Sequence, residues 1–406
     1  MAVDTALGIN LPFPYSGSVI DNEYGLAQVA RYARLSDDFS RIRIVADFTG
    51  SDTYPAQYTP AKQTWLSALK THNPNVYMFY GHACNPTFKP RYYNNIMSYL
   101  LEDAAWAQAN DVDAYCVGNE NLISSVHGTT HGMLASSVVR TSNVVTATFA
   151  FDHGFTTGDY IFVYGATPST INITDSESTE TVQCTVVNAT TITYPATGVD
   201  GTATGTIYID WSAKEVVRKQ LAIWSACAAI FTNGPTIYSE SQGHTPPWIA
   251  VSSSLPSNAL IALNGYGNGD NNAGFVYWKN EVDGMFAEFG TDFVITEFNV
   301  VQEAPDNRKV NNMTYTSRAF EKASSEELRR RYKYLKSVGI TQIYLFSGWY
   351  GNGINATMSF NFLCNTAPYG WNDSTTRHLD LTPMPIIEIL HGNRPAYAFF
   401  GSCTNI

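Results

Sequence analysis

The sequence predicts an α/β fold, a (β/α)8 TIM barrel with an all-β domain inserted after strand 4, and three observations carry that reading. Short apolar strands alternate with amphipathic helical stretches almost from the start, and the strands number eight. One internal stretch abandons this alternation: residues 141–209 contain no Lys or Arg, Thr is abundant, and apolar residues recur at every second position. Two apolar strands run into a carboxylate, "YCVGNEN" at Glu120 and "FVITEFNV" at Glu297. The C-terminal ends of the strands are where a parallel barrel opens its loops.

The first strand is "ALGIN" (Ala6 to Asn10), followed by a helix near residues 26–35. "RIRIVAD" supplies the second, with Ile42 and Ile44 alternating with Arg41 and Arg43, and a helix near residues 61–70 follows. "VYMFYGH" ends at His82, and the helix after Pro90 sets Ile96, Leu100 and Trp106 on one face. The fourth strand carries Asn119 and Glu120, and there the pattern changes to period two, with Val145, Ala147, Phe149 and Phe151 between Gly, Asn and Pro turns. Helical spacing resumes in "WSAKEVVRKQLAIWSACAAIF". Residues 1–136 and 211–406 are therefore assigned to the barrel and 137–210 to the inserted module, and excision of Thr141 to Ile209 is expected to leave a folded barrel. "TIYSES" and "ALIALNGYG" are strands five and six, a helix spans about 275–289, and "FVITEFNV" is strand seven. Helix seven is expected to be capped at Ser324 or Ser325 and stopped by Gly339, with Arg329, Arg330 and Arg331 on a solvated face beside Glu326 and Glu327. Strand eight, "QIYLFSGWYGNG", carries Trp349, and a long loop with Phe360, Tyr369 and Trp371 precedes a closing helix at 385–390. A loop of that length is read as a wall of the cleft.

Composition narrows the function. The 406-residue chain has 24 Lys and Arg against 35 Asp and Glu, a net charge of −11, which argues against a nucleic-acid groove and suits a neutral substrate. Residues 141–209 supply six of the acids: Asp152, Asp159, Asp175, Glu177, Glu180 and Asp200. Aromatic residues make up 13%, with 8 Trp and 25 Tyr, and flat ring faces suit a carbohydrate cleft. No signal-peptide pattern and no membrane-spanning run appears, so no membrane partner is expected, and an extracellular or virion-associated location fits. The six cysteines lack C-x-x-C spacing, and Cys116 and Cys227 fall in apolar elements as inert core thiols. His127 and His131 have i, i+4 spacing but sit in a Gly-Thr loop, so neither a metal nor any other cofactor is expected. "GYGNGD" lacks the last Gly of a dinucleotide fingerprint, and no G-x-S-x-G elbow occurs.

Two carboxylates facing one another across a barrel mouth suit the cleavage of a glycosidic bond. The leaving oxygen needs a proton while positive charge builds on the sugar carbon, so the two groups must hold different protonation states. With the Asn-Glu pair after strand four and a Glu ending strand seven, the chain resembles the clan A glycoside hydrolases, which are (β/α)8 barrels. The resemblance covers the chain outside the insert. It implies Glu120 as general acid/base, Glu297 as nucleophile, and retention of configuration through a glycosyl-enzyme intermediate. It further implies that Asn119 binds the sugar 2-hydroxyl, that Arg43 keeps the nucleophile ionised, that Tyr266 hydrogen-bonds it, and that Trp349 forms an aromatic floor. Arg41 lies on the same strand face as Arg43, which is preferred because it is nearer the strand's C-terminal end. His82 and Trp371 are expected to line the cleft.

The insert's "GDYIFVYGATP" and "TVVNATTITY" are similar to small β-modules of bacteriophage virion proteins, which implies an enzyme acting on a host-surface glycan. The competing reading is a catalytically inactive glycan-binding or structural barrel serving a virion or adhesion role.

Overall fold

The structure is a computed structural model, and it describes residues 6–12, 39–47, 66–83, 88–122, 132–173, 182–265, 275–298, 309–310, 313–314 and 317–345. Eight parallel strands close into a barrel: β1 (Leu7–Pro12), β2 (Arg41–Asp47), β3 (Tyr77–Ala83), β4 (Ala114–Asn119), β5 (Thr236–Ser241), β6 (Ala259–Gly265), β7 (Phe293–Phe298) and β8 (Ile343–Leu345). Each strand pairs with its chain neighbours, and β8 pairs with β1 to shut the ring. Buried strands of this kind read as continuous apolar runs because both faces are covered. Phe79, Ala114, Cys116, Ile237, Ala262, Val294 and Tyr344 cluster together inside the barrel. Alternate residues, among them Tyr80, Tyr115, Tyr238, Leu263 and Ile295, turn outward into the larger core shared with the helices.

Among the described residues, four helices of 15 residues or more flank the barrel: α1 (Tyr93–Ala109), α2 (Ala213–Ile230), α3 (Phe275–Phe289) and α4 (Ser317–Val338). α2 starts on a Ser-x-x-Glu pattern, with the Ser212 side chain accepting from the Glu215 amide. α4 begins at Ser317 and runs straight through Ser324 and Ser325, so the cap expected there is not its start. Its end does fall at Gly339, where φ is +96°. The arginine run is not uniformly solvated either. Arg331 is buried against the Trp278 ring and paired with Glu327 at 2.7 Å, while Arg330 holds the other Glu327 oxygen at 2.6 Å from the surface side. No described helix is long and apolar enough to cross a membrane.

Between β4 and α2 the chain builds two antiparallel sheets. One joins Thr185–Asn188, Thr191–Pro195, Val144–Thr148, Ser137–Thr141 and Gly201–Thr202; the other joins Met133–Leu134, Tyr208–Trp211, Tyr160–Tyr164 and Val182–Gln183. Buried residues alternate with exposed ones along these strands, as a half-buried sheet requires. Ser142 and Asn143 both have positive φ, the geometry of a tight type I′ hairpin turn.

These sheets are tied to the barrel. Trp211 is fully buried against Phe88 and Tyr93, and its indole N–H donates to Asp159 at 2.9 Å. Asp159 also takes Lys219 at 2.8 Å and Arg218 at 3.1 Å, both from α2. These bonds hold the Asp159 carboxyl below its ordinary range even though burial pushes it up. Gly154 sits at φ +71°, where a β-carbon would lie 2.3 Å from the Pro90 carbonyl oxygen, so only glycine permits that approach.

Candidate active site

Polar residues interrupt the apolar strands at one level, and the barrel brings them together. Arg43 is 2% exposed and is the centre of the cluster. Its Nη1 donates to Asn10 Oδ1 on β1 at 2.7 Å and to Glu297 Oε1 on β7 at 3.1 Å. Its Nη2 donates to Asn119 Oδ1 on β4 at 3.1 Å and lies 3.5 Å from Ser239 Oγ on β5. A buried guanidinium is costly without such partners, and here one carboxylate and three neutral oxygens surround it. Arg41, two residues earlier, instead lies over the Tyr77 ring, with its guanidinium carbon 4.4 Å from the ring centroid.

Asn264 on β6 links the two carboxylate strands. Its amide nitrogen donates to Asn119 Oδ1 at 3.1 Å and to Glu120 Oε1 at 2.8 Å, while its Oδ1 accepts from Thr296 Oγ1 at 2.8 Å. Arginine can only donate, so the Asn119 oxygen must face it, and the orientation of each amide follows from the network.

Strict alternation would turn Asn119 and Glu297 away from the barrel interior. Cys116 and Val294 face inward, so counting by twos puts Gly118 and Thr296 inward and Asn119 and Glu297 outward. The register shifts by one residue at both places: Ile237 and Tyr238 pair with Cys116 and Gly118, skipping Val117, and Leu263 and Asn264 pair with Ile295 and Glu297, skipping Thr296. These are β-bulges, which re-aim the side chains that follow. A bulge leaves a carbonyl without its ladder partner, and a buried carbonyl must be satisfied. A side-chain amide supplies the bond in each case: Gln220 Nε2 donates to Val117 O at 2.8 Å, and Asn10 Nδ2 to Thr296 O at 2.6 Å.

Glu120 follows directly on β4 with φ +53°, a left-handed conformation that side chains larger than glycine seldom adopt. Burial pushes its carboxyl up to about 8, and the nearby Glu297 adds to the effect; the Asn264 hydrogen bond and the Arg43 charge oppose them. Glu297 is 7% exposed and is ion-paired with Arg43. One carboxyl therefore favours its proton while its neighbour has a guanidinium beside it.

Of the remaining expected residues, only His82 is among those described. His82 shares the outward face of β3 with Tyr80, and its ring is enclosed by Tyr80 (2.9 Å), Tyr99 and Asp103 (3.3 Å) against α1, so its expected place in the cleft is corrected. Tyr266, Trp349 and Trp371 lie outside the described residues, as do His127 and His131. Among the described residues no group of three His, Cys, Asp or Glu side chains is arranged to hold a metal. Asn10, Ser239, Asn264 and Thr296 join the cluster without having been singled out in the sequence. Their shared signal is a polar residue near the C-terminal end of an otherwise apolar strand.

No family model matches this sequence, and neither does any curated protein. Among solved structures the chain is similar in course to a GH5-4 broad specificity endoglucanase from Ruminococcus flavefaciens (12% identity, TM-score 0.49, covering 95% of both chains). It is also similar to a GH113 β-1,4-mannanase (7%, TM-score 0.47, covering 88% of this chain and 93% of that one). A third is the β-mannanase of the blue mussel Mytilus edulis (11%, TM-score 0.45, covering 90% and 92%). At these identities the chemistry of the site rests on its own geometry.

Proposed function

We propose that this protein is a retaining glycoside hydrolase that cleaves β-glycosidic bonds of a polysaccharide or cell-surface glycan by double displacement. The observation that carries the reading is the contrast between two neighbouring carboxyls at the barrel mouth. Glu120 is held toward its protonated form, and Glu297 is ion-paired with Arg43 at 3.1 Å.

In this reading Glu120 gives its proton to the departing oxygen while Glu297 attacks the anomeric carbon and forms a glycosyl-enzyme ester. Glu120, now a carboxylate, takes a proton from water, which attacks the same carbon and releases Glu297. Asn264 donates to Glu120 Oε1, so the transferable proton sits on Oε2. Asn119, whose oxygen already accepts from Arg43 and Asn264, offers its amide nitrogen to a substrate hydroxyl. Tyr266, Trp349 and Trp371 are proposed to complete the substrate site.

Replacing Glu297 by Ala or Glu120 by Gln is expected to lower turnover on β-glycosides by about 10³-fold or more, with the far-ultraviolet circular dichroism unchanged. Near-normal hydrolysis by either variant would remove that residue from its role. Glycan binding with no hydrolysis by the wild type would favour the inactive binding barrel.

A further inference from the structure

A third carboxylate lies just behind the site. Glu240 on β5 is completely buried, and four uncharged donors converge on it. Tyr238 Oη donates to its Oε2 at 2.8 Å and Trp248 Nε1 to the same oxygen at 3.0 Å. The Ser241 amide and hydroxyl donate to Oε1 at 2.9 and 3.3 Å. Burial lifts this carboxyl to about 7, and once ionised above that pH it only accepts, which fixes the direction of every one of these bonds.

The Tyr238 hydroxyl gives its proton to Glu240, and its oxygen accepts from the Asn121 backbone N–H at 3.0 Å. Asn121 follows Glu120, whose own amide donates to Ser239 O at 2.8 Å. Both amides around Glu120 are thus tied to β5, across a residue with a left-handed backbone. Such a conformation persists where its surroundings over-determine it.

We propose that Glu240 is a positioning residue for Glu120: it orients the Tyr238 hydroxyl, which anchors the Asn121 amide and so holds the Glu120 carboxyl toward Asn264 and Glu297. This rests on the reading of Glu120 as the acid/base. The geometry carries an electrostatic consequence. Glu240 faces Tyr238 on its own strand, His244 in the turn that follows, and Glu120 at the end of β4. Glu120 in turn faces Glu297, Glu240 and Arg43. Negative charge on Glu240 favours a protonated Glu120, so the group that holds the acid in place also helps it keep its proton.

The test is the pH dependence of kcat/KM on an aryl β-glycoside for the wild type, Glu240→Gln and Tyr238→Phe, together with the carboxyl-carbon NMR titration of Glu120 in each. Glu240→Gln is expected to move the alkaline limb and the Glu120 titration about one pH unit lower. Tyr238→Phe cuts the tether while keeping the charge, and is expected to lower kcat about tenfold with KM and the alkaline limb in place. A Glu120 titration and turnover unchanged in both variants would overturn the proposal. If Glu240→Gln does not fold, unchanged turnover in Tyr238→Phe overturns it alone. A wild type that hydrolyses nothing refutes the acid/base reading, while the NMR titration still decides whether Glu240 acts on Glu120.

Discussion

At the residue scale the site depends on amides that make no chemistry of their own. Asn264 holds Asn119 and Glu120 at once, through bonds of 3.1 and 2.8 Å. Its replacement by Ala is expected to lower kcat about 10²-fold, the cost of a misplaced reacting group, with a smaller change in KM; steady-state kinetics on one aryl glycoside would check this. Undiminished kcat would show that Asn264 does not place the acid. That Glu120, Glu297, Asn119 and Arg43 would meet was legible in the sequence, because the first three stand at the ends of strands whose type was clear and Arg43 interrupts a third such strand. Asn10 and Asn264 were not, because an asparagine at the end of an apolar run reads first as a turn former. His82 was misread for the opposite reason: its position at the strand end was clear, but it shares Tyr80's parity, and that face packs against α1 rather than the mouth.

At the element scale the two bulges decide which way the catalytic candidates point, and no pattern of apolar residues announces them. Their stability rests on the amides that satisfy the exposed carbonyls. Gln220→Ala strands Val117 O in the core, so a destabilisation of about 1–3 kcal/mol is expected in urea unfolding. A loss below a few tenths of a kcal/mol would mean that something else satisfies that carbonyl. The same strands make stability depend on pH. Burial lifts Glu240 from the ordinary 4.5 to about 7, so the folded state holds its proton more tightly than the unfolded chain. That contribution is complete below 4.5 and is lost as pH rises through 7, about 3 kcal/mol at the most. The melting temperature is therefore expected to fall between pH 5 and 8, and less steeply in Glu240→Gln; equal slopes would contradict it.

At the scale of the whole molecule the closed barrel was legible from the count of strands, and the antiparallel sheets reach a few residues beyond 137–210. They begin at Met133 and end at Trp211, because the outermost strands pair across the two junctions with the barrel. The ties between the parts were invisible in sequence, since Asp159 and its partners Lys219 and Arg218 are about sixty residues apart. We propose that 137–210 forms a module clamped beside the barrel mouth by Asp159. Asp159→Asn, which leaves the buried Lys219 ammonium short of a counter-charge, is expected to destabilise the chain by about 3 kcal/mol. Replacing 137–210 by a short linker is expected to give a folded barrel that melts lower than the whole chain. An insoluble product would make the module part of the barrel's own core.

The central claim is that Glu120 and Glu297 together break a β-glycosidic bond with retention. The most direct measurement is proton NMR of the first anomer released when the wild type and Glu297→Ala are given aryl β-glycosides and a panel of bacterial and plant glycans. The account predicts that the wild type releases the β-anomer first and that Glu297→Ala releases none. First release of the α-anomer would contradict the double displacement, and equal release by both proteins would contradict the role of Glu297.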